Sequence, residues 1–215
     1  MTIHRPGQPA DLPPAELLWA RWGLVAVLEA TTAAESRERH RTGHWIDGTG
    51  LHLDDCGCTW WTLSRRGEGR YVLYGEDESS GVQWYEPAID MLAQAPEWLP
   101  HEKLQDLLGG WELGCVYWYE NGSWARAPYP DGLGDDGLDC GMSRFTDRGE
   151  ALALLADTAG AAADALLEAA QEYRLTPEVL EKLAPAANGD GEAGDLPARL
   201  RALERAGLSA ATVRQ

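Results

Sequence analysis

The hydrophobic pattern of this chain changes its period twice, and these changes limit the folds that it can adopt. Residues 15–41 repeat apolar side chains at helical spacing, as at Leu18, Trp22 and Val25. Residues 43–127 hold short aromatic and β-branched runs between glycine-containing turns, which is typical of antiparallel strands. Helical spacing returns after about residue 148. We therefore predict an α+β fold: a long N-terminal helix, an antiparallel sheet of about five or six strands with inserted short helices, and a C-terminal helical segment.

Two β-hairpins are predicted within the strand region. Strands at 59–63 and 70–74 flank a glycine-containing loop of hairpin length. Farther along, a strand at 111–120 is followed by Asn121-Gly122, which favours a type I′ turn, because both central residues of that turn need a positive φ. This turn predicts three cross-strand pairs, namely Tyr119 with Trp124, Tyr117 with Arg126 and Trp118 with Ala125.

The remaining segments predict helices and loops. The N-terminal helix is expected to reach about Arg41, and a long helix is expected over 148–173. Proline and glycine positions predict further helices at 89–92, at 100–109, from Pro177 and at 196–206, with a loop at 131–141 and a linker at 187–195. We predict that residues 1–175 form a single α+β domain and that residues 176–215 form a C-terminal helical appendage.

The negative charge is concentrated in the middle of the chain. The net charge is -17, and residues 42–145 carry 18 acidic against 6 basic side chains. The same block holds eight of the ten tryptophans. Because the phosphates of a nucleic acid would be repelled by this charge, no nucleic-acid partner is expected.

The chain also lacks the features of membrane and exported proteins. It contains no run of 18 consecutive apolar residues, so no membrane partner is expected. Its first residues, which include Arg5-Pro6-Gly7, lack the apolar core of a signal peptide, and this favours a cytoplasmic location. Arginine supplies nearly all of the basic side chains, a bias that indicates a GC-rich bacterial genome.

The combination of tryptophan with acidic residues carries the functional prediction. Aromatic faces and carboxylates both attract cations, and an acidic surface speeds the encounter with a basic partner. Burial in the core is the alternative for most of these rings, because Trp fills cores where Phe is scarce. We predict a non-enzymatic acidic binding protein for a basic protein partner, acting as an inhibitor or as a toxin-neutralising, immunity-like protein. The candidate binding residues are Trp60, Glu76, Asp77, Glu78, Trp118, Asp135 and Asp136.

The four cysteines are candidate zinc ligands. Cys56 and Cys58, with His52 nearby and Cys115 and Cys140 farther along the chain, are of the residue types that zinc prefers. However, one residue between paired cysteines is fewer than the roughly two to four that structural zinc sites use. Burial as small apolar side chains is therefore the preferred interpretation. We expect no metal, no cofactor and no disulfide.

Two alternative functions remain open. One is an enzyme or small-ligand binder with an acidic pocket lined by Trp60, Trp118 and residues 76–78, although no catalytic motif is present. The other is a DNA-associated regulator. Residues 206–213 resemble the turn and the opening of the recognition helix in bacterial helix-turn-helix proteins, and this resemblance implies contact with the major groove. It covers about eight residues, so the end of a helical hairpin is the preferred interpretation.

Overall fold

A computed structural model describes residues 2–35, 41–183 and 195–209 of the chain. The fold is α+β, as predicted, with one six-stranded antiparallel sheet between helical segments. The strands are β1 (Gly43–Ile46), β2 (Leu51–Asp54), β3 (Thr59–Arg65), β4 (Tyr71–Asp77), β5 (Cys115–Glu120) and β6 (Ser123–Arg126). The helices are α1 (Ala15–Glu29), α2 (Thr32–Glu35), α3 (His101–Gly109), α4 (Leu138–Thr146), α5 (Arg148–Ala159), α6 (Ala163–Gln171), α7 (Pro177–Leu183) and α8 (Leu196–Ala206). None of the helices in these described ranges is long and apolar enough to cross a bilayer.

The six strands lie side by side in sequence order, from β1 to β6. The predicted pairing of β5 with β6 is confirmed, with Tyr119 opposite Trp124, Tyr117 opposite Arg126 and Trp118 opposite Ala125. Asn121 and Gly122 have φ angles of 54° and 81°, as a type I′ turn requires. Turn chemistry and strand alternation therefore determine this register.

One face of the sheet packs against α1. The ring centroids of Trp19 and Tyr71 are 6.1 Å apart, and Trp22 Nε1 donates to the carbonyl of His52 at 3.3 Å. Helices α5, α6 and α8 contact other sides of α1. The sequence predicted a single apolar stripe, but twelve of the fifteen residues of α1 are buried. Helix α1 is therefore the central element of the molecule, since a helix that is covered all round belongs to the core.

The opposite face of the sheet lies beneath the segment that connects β4 to β5. We call this segment, residues 78–112, the acidic cover, because it holds seven carboxylates and one lysine. Helix α3 belongs to it and buries Leu104 completely, while Lys103 Nζ donates to the hydroxyl of Tyr74 at 2.7 Å. Both faces of the aromatic strands are thus covered by other parts of the chain.

Several predicted helices differ from the structure. The predicted helix to Arg41 is interrupted after Glu29: the chain is extended at Ala30, and Glu29 accepts a hydrogen bond from the backbone N–H of His44 at 3.0 Å. Residues Thr32–Glu35 form the separate helix α2, and the predicted helix over 36–40 lies outside the described residues. The predicted helix at 89–92 is also wrong, because this segment forms turns. The short stretch between Pro87 and Pro96 leaves too little room for a stable helix.

The segment between β6 and α7 has different helix boundaries from those predicted. The predicted loop at 131–141 ends earlier, because α4 begins at Leu138. The predicted helix over 148–173 is two helices, α5 and α6, separated at Gly160, whose φ is 52°. A positive φ is unfavourable for other residues and interrupts a right-handed helix.

The C-terminal helices α7 and α8 begin at Pro177 and Leu196, as predicted. Helix α8 lies against α1, where Trp19 Nε1 donates to the carbonyl of Ala206 at 2.9 Å and Arg199 Nε donates to that of Leu28 at 3.1 Å. The division at residue 175 stays a prediction. The predicted linker at 187–195, apart from Asp195, and the tail beyond residue 209 lie outside the described residues.

Candidate functional site

The predicted binding residues do not lie on one face of the sheet. Trp60 and Glu76 are cross-strand partners on the face beneath the acidic cover, and Trp118 lies on the same face. Asp77 follows Glu76 on β4, so its side chain points to the opposite face. Glu78 is exposed beyond the end of β4, and Asp135 and Asp136 precede α4.

The two predicted tryptophans are mainly packing residues. Trp118 is only 7% exposed and belongs to the core. Trp60 is half-buried, and its ring meets that of Tyr74 edge to face with centroids 6.0 Å apart. Trp118 therefore offers almost no surface to a ligand.

Asp136 joins three parts of the fold. Its carboxylate is buried, and it accepts hydrogen bonds from the N–H of Gly7 at 2.9 Å, the N–H of Leu138 at 3.3 Å and the hydroxyl of Tyr117 at 2.9 Å. Burial and the nearby charge of Asp136 raise the pKa of Tyr117 well above its ordinary value, so this hydroxyl remains a donor. Asp136 thus fixes the N-terminal segment and the start of α4 to β5.

Asp77 has a comparable local role at the end of β4. It accepts hydrogen bonds from the N–H of Ser79 at 2.9 Å, from the Ser79 hydroxyl and from the Thr59 hydroxyl. Burial raises the pKa of Asp77, but these hydrogen bonds outweigh it and hold the pKa below its ordinary value. Asp135 accepts from the N–H of Gly137 at 2.8 Å, and the Nε of Arg5 lies 3.6 Å from its carboxylate.

Glu76 links the sheet to the acidic cover. The side-chain amide of Gln83 donates both to the Glu76 carboxylate and, at 2.6 Å, to the carbonyl of Trp111. Burial raises the pKa of Glu76, the Gln83 hydrogen bond opposes this rise, and the charge of Glu112 adds to it. Gln83 thus connects the Glu76 carboxylate to the backbone of Trp111.

The cysteines do not assemble into a metal centre within the described ranges. All four are free: Cys115 is buried, Cys140 is partly buried, and Cys56 and Cys58 are exposed. Among the residues that the structure describes, no group of three or more His, Cys, Asp or Glu side chains is arranged to hold a metal ion.

The largest exposed aromatic surface is at two tryptophans that the sequence did not single out. Trp84 is 76% exposed and Trp111 is 62% exposed, and they are the exposed large hydrophobic residues of the described chain. Their ring centroids are 6.0 Å apart, with an angle of 54° between the planes. A local clue was present, because both stand among Gly, Pro and acidic residues rather than in alternating apolar runs.

The backbone of Trp111 is fixed by the end of α3. Its N–H donates to the carbonyl of Leu108 at 3.2 Å, and that of Glu112 donates to the carbonyl of Leu107 at 3.0 Å. This pair of bonds is a Schellman motif with Trp111 at the left-handed position, where its φ is 61°. The sequence had predicted a strand from Trp111 onward, but β5 begins only at Cys115.

A cavity opens beside Trp111. It has a volume of about 220 Å³ and is lined mainly by apolar side chains. A second, more open cavity of about 500 Å³ adjoins it and shares Ala88 and Ile89 with it. Glu86 and Asp90 line the second cavity. The two cavities are therefore neighbours, and the carboxylates of Glu86 and Asp90 stand beside the second one.

The carboxylates of the acidic cover have no ion-pair partner among the described residues. Within the described residues, the ion pairs lie elsewhere, and none involves the seven carboxylates of this segment. Its one lysine, Lys103, lies over the ring of Tyr74, 5.2 Å from the centroid. The negative charge is therefore available to an external cation.

Comparison with protein-family models, curated protein sequences and solved structures found no match for this chain.

Proposed function

We propose that this protein is a non-enzymatic binding protein that recognises a basic protein partner through its acidic cover. The observation that carries the proposal is the exposed pair Trp84 and Trp111 on a segment whose seven carboxylates form no ion pair with any residue in 2–35, 41–183 or 195–209. Aromatic faces and carboxylates together favour lysine and arginine side chains. Inhibition or neutralisation of a basic protein is the activity that such a surface supports best.

Several features of the surface support protein binding. Tryptophan is enriched in the energetically important centres of protein interfaces, where it buries a large area on binding. The surrounding carboxylates steer a basic partner towards this centre and discourage acidic proteins. The binding surface proposed here therefore differs from most of the residues predicted from the sequence: Glu78 belongs to the acidic cover, and Glu76 contacts it through Gln83.

Selection from a displayed library of random peptides tests the proposal without a known partner. We expect the immobilised protein to enrich peptides rich in arginine and lysine. The variant with Glu86→Lys, Asp106→Lys and Glu112→Lys reverses three exposed charges of the acidic cover, and we expect it to bind these peptides about tenfold more weakly or worse.

A matched control changes the net charge equally at a distant surface. Asp157→Lys, Glu168→Lys and Glu204→Lys place three lysines near the carboxyl ends of α5, α6 and α8, where cations are tolerated. This control is expected to keep most of the binding. Enrichment of uncharged or acidic peptides, or equal loss of binding in both triple variants, would refute the proposal.

A further inference from the structure

The smaller cavity beside Trp111 has the size of a side-chain pocket. Its volume of about 220 Å³ lies below the roughly 300–1,000 Å³ that small-molecule sites occupy. It is lined by Ala88, Gln83 and Trp111 and by five larger aliphatic or thioether side chains. These five are Val82, Ile89, Met91, Leu108 and Leu113. Such a lining suits one apolar side chain of a larger molecule.

The rim of this cavity is held in place before any partner arrives. The Schellman motif fixes the backbone of Trp111, and Gln83 holds its carbonyl at 2.6 Å while also bonding Glu76. Trp84 then meets the Trp111 ring from the side. A fixed rim lowers the entropy that binding would otherwise cost.

The left-handed backbone of Trp111 is a second observation in favour of a binding role for its ring. An L residue other than glycine is disfavoured in this conformation, because its Cβ lies too close to the following carbonyl oxygen. Two glycines, Gly109 and Gly110, immediately precede it, yet the tryptophan takes the strained position. Strained backbone conformations cluster at ligand-binding sites.

We propose that the cavity beside Trp111 receives an aliphatic side chain from the basic partner, while a neighbouring cationic side chain of that partner lies against Trp84 and the carboxylates of the acidic cover. The occupant is therefore a basic segment with an aliphatic anchor. This inference rests on the proposed function and specifies the chemistry of the partner. A second copy of this chain is a poorer occupant, because the carboxylates of two acidic covers would be brought together.

Two synthetic peptides of equal charge distinguish the contribution of the aliphatic anchor to binding from that of the cationic side chains. The first is acetyl-Arg-Arg-Leu-Arg-Arg-amide, and the second has alanine in place of the leucine. Titration followed by calorimetry is expected to give about tenfold tighter binding for the leucine peptide, because its side chain buries more apolar surface. Both peptides should lose affinity as salt is added.

Filling the cavity tests where the leucine binds. Ala88 is exposed and lines the cavity, so Ala88→Phe is expected to remove the advantage of the leucine peptide and to leave the alanine peptide unchanged. Ala153→Phe adds the same side chain to an exposed position on α5 and is expected to change neither peptide. Circular dichroism checks that both variants are folded.

The outcomes distinguish this inference from the proposed function. Equal binding of the two peptides by the native protein, or a leucine advantage that persists in Ala88→Phe, overturns the anchor and leaves the acidic binding surface intact. If neither peptide binds at low salt, both proposals fall. Dimerisation in sedimentation velocity that is lost in Trp84→Ala would assign the cavity beside Trp111 to a second copy and would also overturn the proposed aliphatic anchor.

Discussion

Trp111 combines two properties, an exposed indole and a left-handed backbone. Its φ of 61° lies where glycine is favoured, and its side chain is 62% exposed. The two properties act on different quantities: the backbone angle affects folding stability, whereas the ring affects binding. Substitutions that remove the ring can therefore isolate the contribution of the backbone.

We expect Trp111→Gly to be more stable than Trp111→Ala by about 1 kcal/mol, because both lose the same ring and only glycine relieves the left-handed strain. Urea denaturation measures the difference. At Trp84, whose φ is not positive, the order should reverse, with alanine the more stable substitution. The same order at both positions would contradict the role given to the backbone of Trp111.

Asp136 is the buried carboxylate on which three chain segments depend. Replacing it with alanine leaves the N–H of Gly7, the N–H of Leu138 and the hydroxyl of Tyr117 without their acceptor. We expect Asp136→Ala to reduce the free energy of unfolding by about 2–4 kcal/mol. The neighbouring change Asp135→Ala should cost less than about 1 kcal/mol; equal losses would show that the hydrogen bonds of Asp136 contribute little.

Asp77 should make the free energy of unfolding depend on pH in the acidic range. Its pKa is lowered in the folded protein, so the unfolded chain takes up a proton first as the pH falls. The stability that Asp77 contributes is therefore complete above its unfolded pKa of about 3.9 and is lost as the pH falls below it. Relative to the native protein, Asp77→Asn should be destabilised at pH 7 and progressively less so below about pH 4. Exposed Asp157→Asn, as control, should behave like the native protein at each pH.

At the scale of secondary structure, the sequence predicts strands better than helix ends. The pairs at Asn121-Gly122 follow from a two-residue turn and strand alternation, both of which are local. The end of α1 is fixed by a contact with a distant residue, that between Glu29 and His44, which the local sequence does not reveal. Helix α4 was missed because it begins inside a glycine- and aspartate-rich stretch that is typical of a loop.

Helix α4 approaches the sheet closely at Gly141. A Cβ added to Gly141 would overlap the indole of Trp61, which is completely buried on β3. We expect Gly141→Ala to destabilise the protein by about 2 kcal/mol, although alanine is normally the better helix residue. Gly109→Ala at the end of α3 meets no atom within 4 Å and should be neutral or stabilising. The melting temperatures of both variants test this expectation. A Gly141→Ala variant as stable as the native protein would show that α4 can shift away from Trp61.

At the scale of the whole molecule, the sequence locates the charge but not the surface that uses it. The excess of carboxylates in the middle of the chain is visible in composition alone. Which tryptophans are exposed depends on how the acidic cover folds over the sheet, and this is not a local property. Trp118 was therefore predicted as a binding residue although it is buried, whereas Trp84 and Trp111 were not identified.

Salt should act in opposite directions on folding and on binding. With a net charge of -17, the folded chain repels itself, and screening this repulsion should raise the melting temperature by about 2–5 °C between low and roughly 0.2 M NaCl. The affinity for arginine-containing peptides should fall over the same range. Screening saturates at a few hundred millimolar, so a melting temperature that rises only at molar salt would indicate a different cause.

Helix α1 leaves the ribosome long before α8, the helix that lies against it through Trp19 and Arg199. Throughout most of synthesis, the nascent chain must therefore keep an almost wholly apolar helix without its final covering. Exposed apolar surface on a partly made chain favours aggregation and chaperone binding. We expect this protein to complete its folding only after translation has passed α8, and a chain stalled before that point to be held by chaperones rather than folded.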